Sequence, residues 1–233
     1  PVTIALLIFI GVAHYARELL PFLAPGVAGL CLQPAGLVAA LSHGRVLVER
    51  MLLSAFLHAD DYHVLYNMLS FLPKGVQLEL ALGPAGYIQL IVFLLIASPC
   101  FMVALAYATG FGFHQCAVGF SAVIFGLKVV CSVNGPTVTR VFGIPMPTGW
   151  MSWLLEVAVI SLLNPSASFV GHLAGVAAGV AYLGLERYKR WQDSHRPAPW
   201  NEPGPQPPPR HAGGPGHGAR EQQPQYDRHP PPQ

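Results

Sequence analysis

The chain has 233 residues, a formal net charge of +2, 52% hydrophobic residues and only 10% charged ones, with a positive mean hydropathy. A soluble globule of this size needs more charge to cover its surface, so lipid is the expected solvent. The basic residues gather into no stripe, which sets a nucleic-acid partner aside.

A membrane span needs about 20 mainly apolar residues, and six stretches qualify: about 2–23, 62–81, 86–109, 115–133, 141–163 and 169–186. The first residue is Pro1 rather than Met, which points to a start inside a longer protein. Val2 to Gly11 is apolar like a signal-peptide core, but no basic stretch precedes it and no small-residue cleavage pattern follows. It is read as the first span, followed by a long loop at 24–61. The second span carries Lys74 and Glu79 near its far end. The fifth contains Pro145, Pro147 and Gly149, so its well-formed helix is expected only over Trp150 to Leu163.

From about Gln192 the composition turns to Pro, Gly, Gln, His and Arg. Such a segment cannot bury enough apolar surface to offset its ordering entropy. The expected organisation is an all-α membrane protein, a six-helix bundle over 1–187 with a disordered tail over 188–233. If the spans alternate, Lys74, Lys128, Arg140, Arg187, Lys189 and Arg190 share one side against Arg17, Arg45 and Arg50 on the other. The positive-inside bias makes the first side, and the tail, cytosolic. The 24–61 loop then faces the lumen or exterior.

Four cysteines, Cys31, Cys100, Cys116 and Cys131, show no metal-ligand spacing, so neither a metal nor another cofactor is expected. Cys31 and Cys116 fall near one face, where an oxidising lumen would let them pair.

Polar groups inside spans are costly, and by default they face the bundle and act. The second, fourth and sixth spans enter from the same side, and each carries such groups in its first two turns: His63 and Asn67, then Ser121, then His172. His63 and Asn67 are four apart and project from one face. Counted from Gln115 and Ser168, Ser121 and His172 lie about 6–9 Å down their helices. Ala122 and Gly126, and Gly171, Gly175 and Gly179, have the spacing that lets membrane helices approach closely. Contact there would let His172 serve Ser121 as general base and later as general acid. No carboxylate is placed to orient His172, so a dyad fits better than a triad. The amide of Asn67, an N–H of His63 and the Ser121 backbone N–H are suitable donors to an oxyanion.

Each residue also has a plain reading. A single membrane Ser ordinarily bonds back to its own helix, and a single membrane His bonds a neighbouring one. His58 reads equally as a loop residue or a site residue, and His14, His43 and His114 read as interfacial or loop residues.

The run His58-Ala59-Asp60-Asp61-Tyr62-His63-Val64-Leu65-Tyr66-Asn67, followed by Gly119-Phe120-Ser121 and His172-Leu173-Ala174-Gly175, resembles the rhomboid intramembrane serine proteases. The resemblance covers about residues 1–187 and is strongest to the endoplasmic-reticulum subgroup with six spans and a cytosolic tail. It implies Ser121 as nucleophile, His172 as base, His63 and Asn67 at the oxyanion, and Gly119, Ala122, Phe125, Gly175 and His58 in support. The implied substrates are transmembrane proteins cut in or beside the bilayer. Two residues depart from the family pattern: Ala122 replaces the usual glycine after the serine, and Phe125 replaces a tyrosine that stacks on the histidine. Longer relatives carry tail motifs for ubiquitin and an ATPase of the degradation machinery, and neither is found between Gln192 and Gln233. Two rival readings are a non-catalytic client-binding protein in membrane-protein quality control, for which Ala122 speaks, and a transporter. The transporter reading has only Glu156 and the Pro145/Pro147 region to recommend it.

Overall fold

A computed structural model of the chain describes residues 1–19, 27–134, 138–141, 144–147, 150–163 and 167–195. In chain order these residues form α1 (Val2–Leu19), α2 (Val27–Leu30), α3 (Pro34–Ser42), α4 (Val48–Leu53), a 3-10 turn (Ser54–Phe56) and α5 (Asp61–Thr109). Then come α6 (Ser121–Asn134), β1 (Val138–Val141), β2 (Ile144–Pro147), α7 (Trp150–Leu163) and α8 (Phe169–Ser194). Residues Pro1–Ser194 make one compact unit.

The second and third expected spans fall on the 49-residue α5, which breaks at Gly83 (φ 71°, ψ 165°) just before Pro84. The chain folds back there, because a Cβ on Gly75 would sit 2.8 Å from the Tyr87 hydroxyl. In a continuous helix those residues would be about 18 Å apart along the axis. α5 and α8 are long and apolar enough to cross a membrane, whereas Val2–Ala16 and Ser121–Val133 are apolar but shorter. α5 leaves Leu65, Leu69, Leu72, Val76 and Leu80 exposed, an outward apolar stripe suited to lipid. Its inward residues Phe71, Leu78, Tyr87, Leu90 and Leu94 pack with Phe120, Val123, Ile124 and Leu127 in the main core.

The fold is mostly helical, with one short antiparallel hairpin of β1 and β2 in which Val138 lies opposite Pro147 and Val141 opposite Ile144. The β-branched Val138-Thr139-Arg140-Val141 favours strand, and Pro145 and Pro147 disfavour helix. α7 begins at Trp150, as the prolines predict. The fourth helix starts at Ser121 rather than 115, because the backbone before it bonds elsewhere: Ala117 pairs with Leu32, and the Gly119 N–H donates to the Ser54 carbonyl at 2.9 Å. α8 continues to Ser194, so 188–194, assigned to the tail from sequence, is helical; the remaining tail, 196–233, lies outside the described residues. Lys128, counted as a cytosolic-side charge, is a buried residue of α6 at 6% exposure.

The 24–61 loop is structured through most of its length. Cys31 and Cys116 form a disulfide with their Cα atoms 5.5 Å apart, and Leu32 and Ala117 exchange two backbone hydrogen bonds of 2.9 Å beside it. Together they fasten the segment preceding Ser121 to the loop.

Candidate active site

The site grows from three helix beginnings. At α5, Asp60 is the N-cap, accepting the His63 N–H at 2.8 Å, which satisfies an orphan donor of the first turn. His63 and Asn67 follow one turn apart on the inward side, with Asn67 2% exposed. At α6, the Ile124 N–H donates to the Phe120 carbonyl at 3.0 Å, so Ser121 is the first helical residue and its own N–H has no intrahelical partner. At α8, the His172 N–H donates to the Ser168 carbonyl at 3.0 Å, placing His172 in the first turn.

One cavity of about 780 Å³ is lined by Ser121, His172, His63 and Asn67, and also by Gly119, Ala122, Phe125 and Lys128. All four residues singled out for chemistry are therefore brought together. Gly119 has φ 106°, and a Cβ there would meet His63 Nε2 at 2.7 Å, so the loop's backbone lies directly against that ring. A Cβ on Gly175 would collide with the backbone of Ala122, and one on Gly179 would lie 2.7 Å from the Gly126 carbonyl oxygen. Small residues thus bring α6 and α8 together backbone to backbone, as their spacing predicts. Gly171 does not join this seam; its nearest neighbour is the Ser168 side chain, 3.2 Å from a notional Cβ.

Hydrogen bonds assign the protons. The Ala59 N–H donates to His63 Nδ1 at 3.4 Å, so the neutral ring carries its proton on Nε2, the atom beside Gly119. Asn67 spends one amide hydrogen on the His63 carbonyl at 2.9 Å and keeps a second. The phenyl ring of Phe125 lies on the His172 imidazole with centroids 4.7 Å apart and planes at 38°, the stacking place that the resemblance assigns to a tyrosine. His172 Nδ1 is buried with no hydrogen-bond partner among the described residues.

Two buried histidines neighbour the first turn of α5. His58 is buried at 0% exposure and its Nε2 accepts the Phe120 N–H at 3.4 Å, so it supports the loop carrying Ser121. His14, expected at an interface, is buried on α1 and its Nε2 lies 2.9 Å from Asp61 Oδ1. His43 and His114 are exposed, as expected. Sequence reasoning also missed a polar cluster: Lys128 on α6 is ion-paired with Glu156 on α7, and the Tyr66 hydroxyl on α5 donates to Glu156 Oε1 at 3.0 Å. A signal was available, because Ser121, Phe125 and Lys128 stand at i, i+4 and i+7 on one helical face.

The Rhomboid domain profile matches residues 47–189, well over half of the chain. The chain belongs to the rhomboid family. Rhomboid proteins are integral membrane proteins and the family is generally one of serine proteases. Similar relatives include Rhomboid-like protein 14, mitochondrial, of Arabidopsis thaliana, 34% identical over 60% of this chain and 43% of that protein. Rhomboid-related protein 4 of Rattus norvegicus is 37% identical over 58% and 44%. Rhomboid-type serine protease 2 of Yarrowia lipolytica is 28% identical over 57% and 45%. The match to this rhomboid chain therefore spans less than half the length of each of these three relatives.

Proposed function

We propose that this rhomboid is a six-span intramembrane serine endopeptidase working through a Ser121–His172 dyad. The six spans are α1, the two halves of α5, α6, α7 and α8. The observation that carries the reading is the single cavity lined by Ser121, His172, His63 and Asn67 from three helices.

Ser121 Oγ attacks the scissile carbonyl while His172 takes its proton. The oxyanion meets His63 Nε2–H, the second hydrogen of the Asn67 amide and the Ser121 N–H. Donors placed this way each supply on the order of 10²–10³ in rate. The intermediate collapses as His172 gives its proton to the leaving amine. Water, with His172 as base, then cleaves the acyl-enzyme. The substrates are transmembrane proteins that enter from the lipid bilayer. The Cys31–Cys116 disulfide supports an oxidising compartment on the loop side, in line with an endoplasmic-reticulum membrane and a cytosolic C-terminal side, where the tail would meet degradation machinery.

A fluorophosphonate probe should label the wild type and not Ser121→Ala, and Ser121→Ala should abolish cleavage of a co-expressed transmembrane substrate while still inserting in the membrane. Undiminished cleavage in Ser121→Ala would sink the reading. The non-catalytic client-binding alternative rests on Ala122, which lines the cavity beside the serine. It predicts that the wild type is not labelled either.

A further inference from the structure

The proposed dyad leaves one polar cluster unused. Lys128, the one charged residue of α6, is 6% exposed, and it lines the cavity of the site. Its ammonium lies over the Phe125 ring, 4.4 Å from the centroid, and the same ring also contacts His172, 4.7 Å away centroid to centroid. Glu156 neutralises Lys128 and is itself held by the Tyr66 hydroxyl at 3.0 Å. Three helices therefore converge on a charge pair whose contacts run through one aromatic ring to the imidazole on a fourth.

Ion pairs taken out of water seldom stabilise relative to apolar residues of the same volume, and beside lipid the cost is larger; this one is partly buried, with Lys128 6% and Glu156 31% exposed. A pair retained at this place calls for a role in the site. Resting on the reading of His172 as general base, we propose that Lys128 and Glu156 are a positioning pair, which holds Phe125 against the imidazole and balances the charge around it.

The charged and titratable groups around His172 are Lys128 from α6, His63 from α5 and Glu156 from α7. Removing one member of the pair leaves the other as a lone charge acting on the imidazole, and Coulomb's law fixes the sign. A lone ammonium in Glu156→Gln disfavours imidazolium, so the acid limb of activity moves to lower pH. A lone carboxylate in Lys128→Met favours imidazolium, so the limb moves to higher pH. Each displacement should be roughly half a pH unit or more.

The experiment measures the rate of fluorophosphonate labelling of Ser121 against pH in detergent-solubilised full chain. Opposite displacements in the two single variants, together with a wild-type midpoint in Lys128→Met/Glu156→Gln, are the expected result. That double variant carries no lone buried charge and serves if the single variants fail to fold. Its labelling rate should fall at least ten-fold, because Phe125 has lost its prop, and Lys128→Arg should recover most of the rate. Displacements in the same direction, or no displacement, overturn the proposal, as does a double variant that labels at the wild-type rate. A wild type that is never labelled counts against the hydrolase reading itself, a separate outcome.

Discussion

Gly119 stands at φ 106° with the space for its Cβ taken by His63, 2.7 Å from Nε2. Gly119→Ala must then either shift the loop before Ser121 or displace the proposed oxyanion donor. The backbone strain alone costs on the order of 1–3 kcal/mol, and probe labelling of Ser121 should drop by at least ten-fold in a protein that still inserts. Labelling within two-fold of wild type would show that His63 needs no fixed place. At this scale most of the site could be read from the chain, because Ser121, His172, His63 and Asn67 are polar residues where polarity is costly, and each occupies a first or second turn. Lys128 escaped for the opposite reason. A lysine in an apolar run was read as marking a membrane boundary, and the partner that permits its burial, Glu156, lies 28 residues away on another helix.

Among the elements, the α6–α8 seam decides how near His172 comes to Ser121. A Cβ on Gly175 collides with backbone at Ala122, which cannot rotate aside as a side chain can. Gly175→Ala should therefore part the helices and cost a few kcal/mol, seen as a clear fall in the thermal unfolding midpoint and loss of labelling. Gly11→Ala is the comparison, since nothing lies within 4 Å of its Cβ position. It should be neutral or slightly stabilising, as alanine is the better helix former by about 1 kcal/mol. The seam was foreseeable from four-residue spacing of small residues. The start of α6 was not, because hydropathy cannot distinguish helix from a loop whose backbone groups bond to Leu32 and Ser54.

For the molecule as a whole, the Cys31–Cys116 link closes a separation of 85 residues that includes α3, α4 and all of α5. The chain-entropy gain for such a loop is at most about 4–5 kcal/mol. Cys31→Ser/Cys116→Ser, or treatment with reductant, should lower the unfolding midpoint and slow labelling of Ser121, because the segment at 115–120 loses its tie. An unchanged midpoint would mean that the Leu32–Ala117 pairing suffices. Sequence placed the two cysteines near one face without determining that they pair, since pairing depends on how a 24–61 loop with its own short helices folds back over the bundle.

The order in which these pieces leave the ribosome has its own consequence. α8 follows the other described helices in the chain, and it brings His172, Gly175 and Gly179. Under the proposed dyad, Ser121 would have oxyanion donors but no base until α8 docks. The newborn chain would then share the insertion machinery with other unfinished membrane proteins in an inert form, and gain its proposed activity only once α8 is in place.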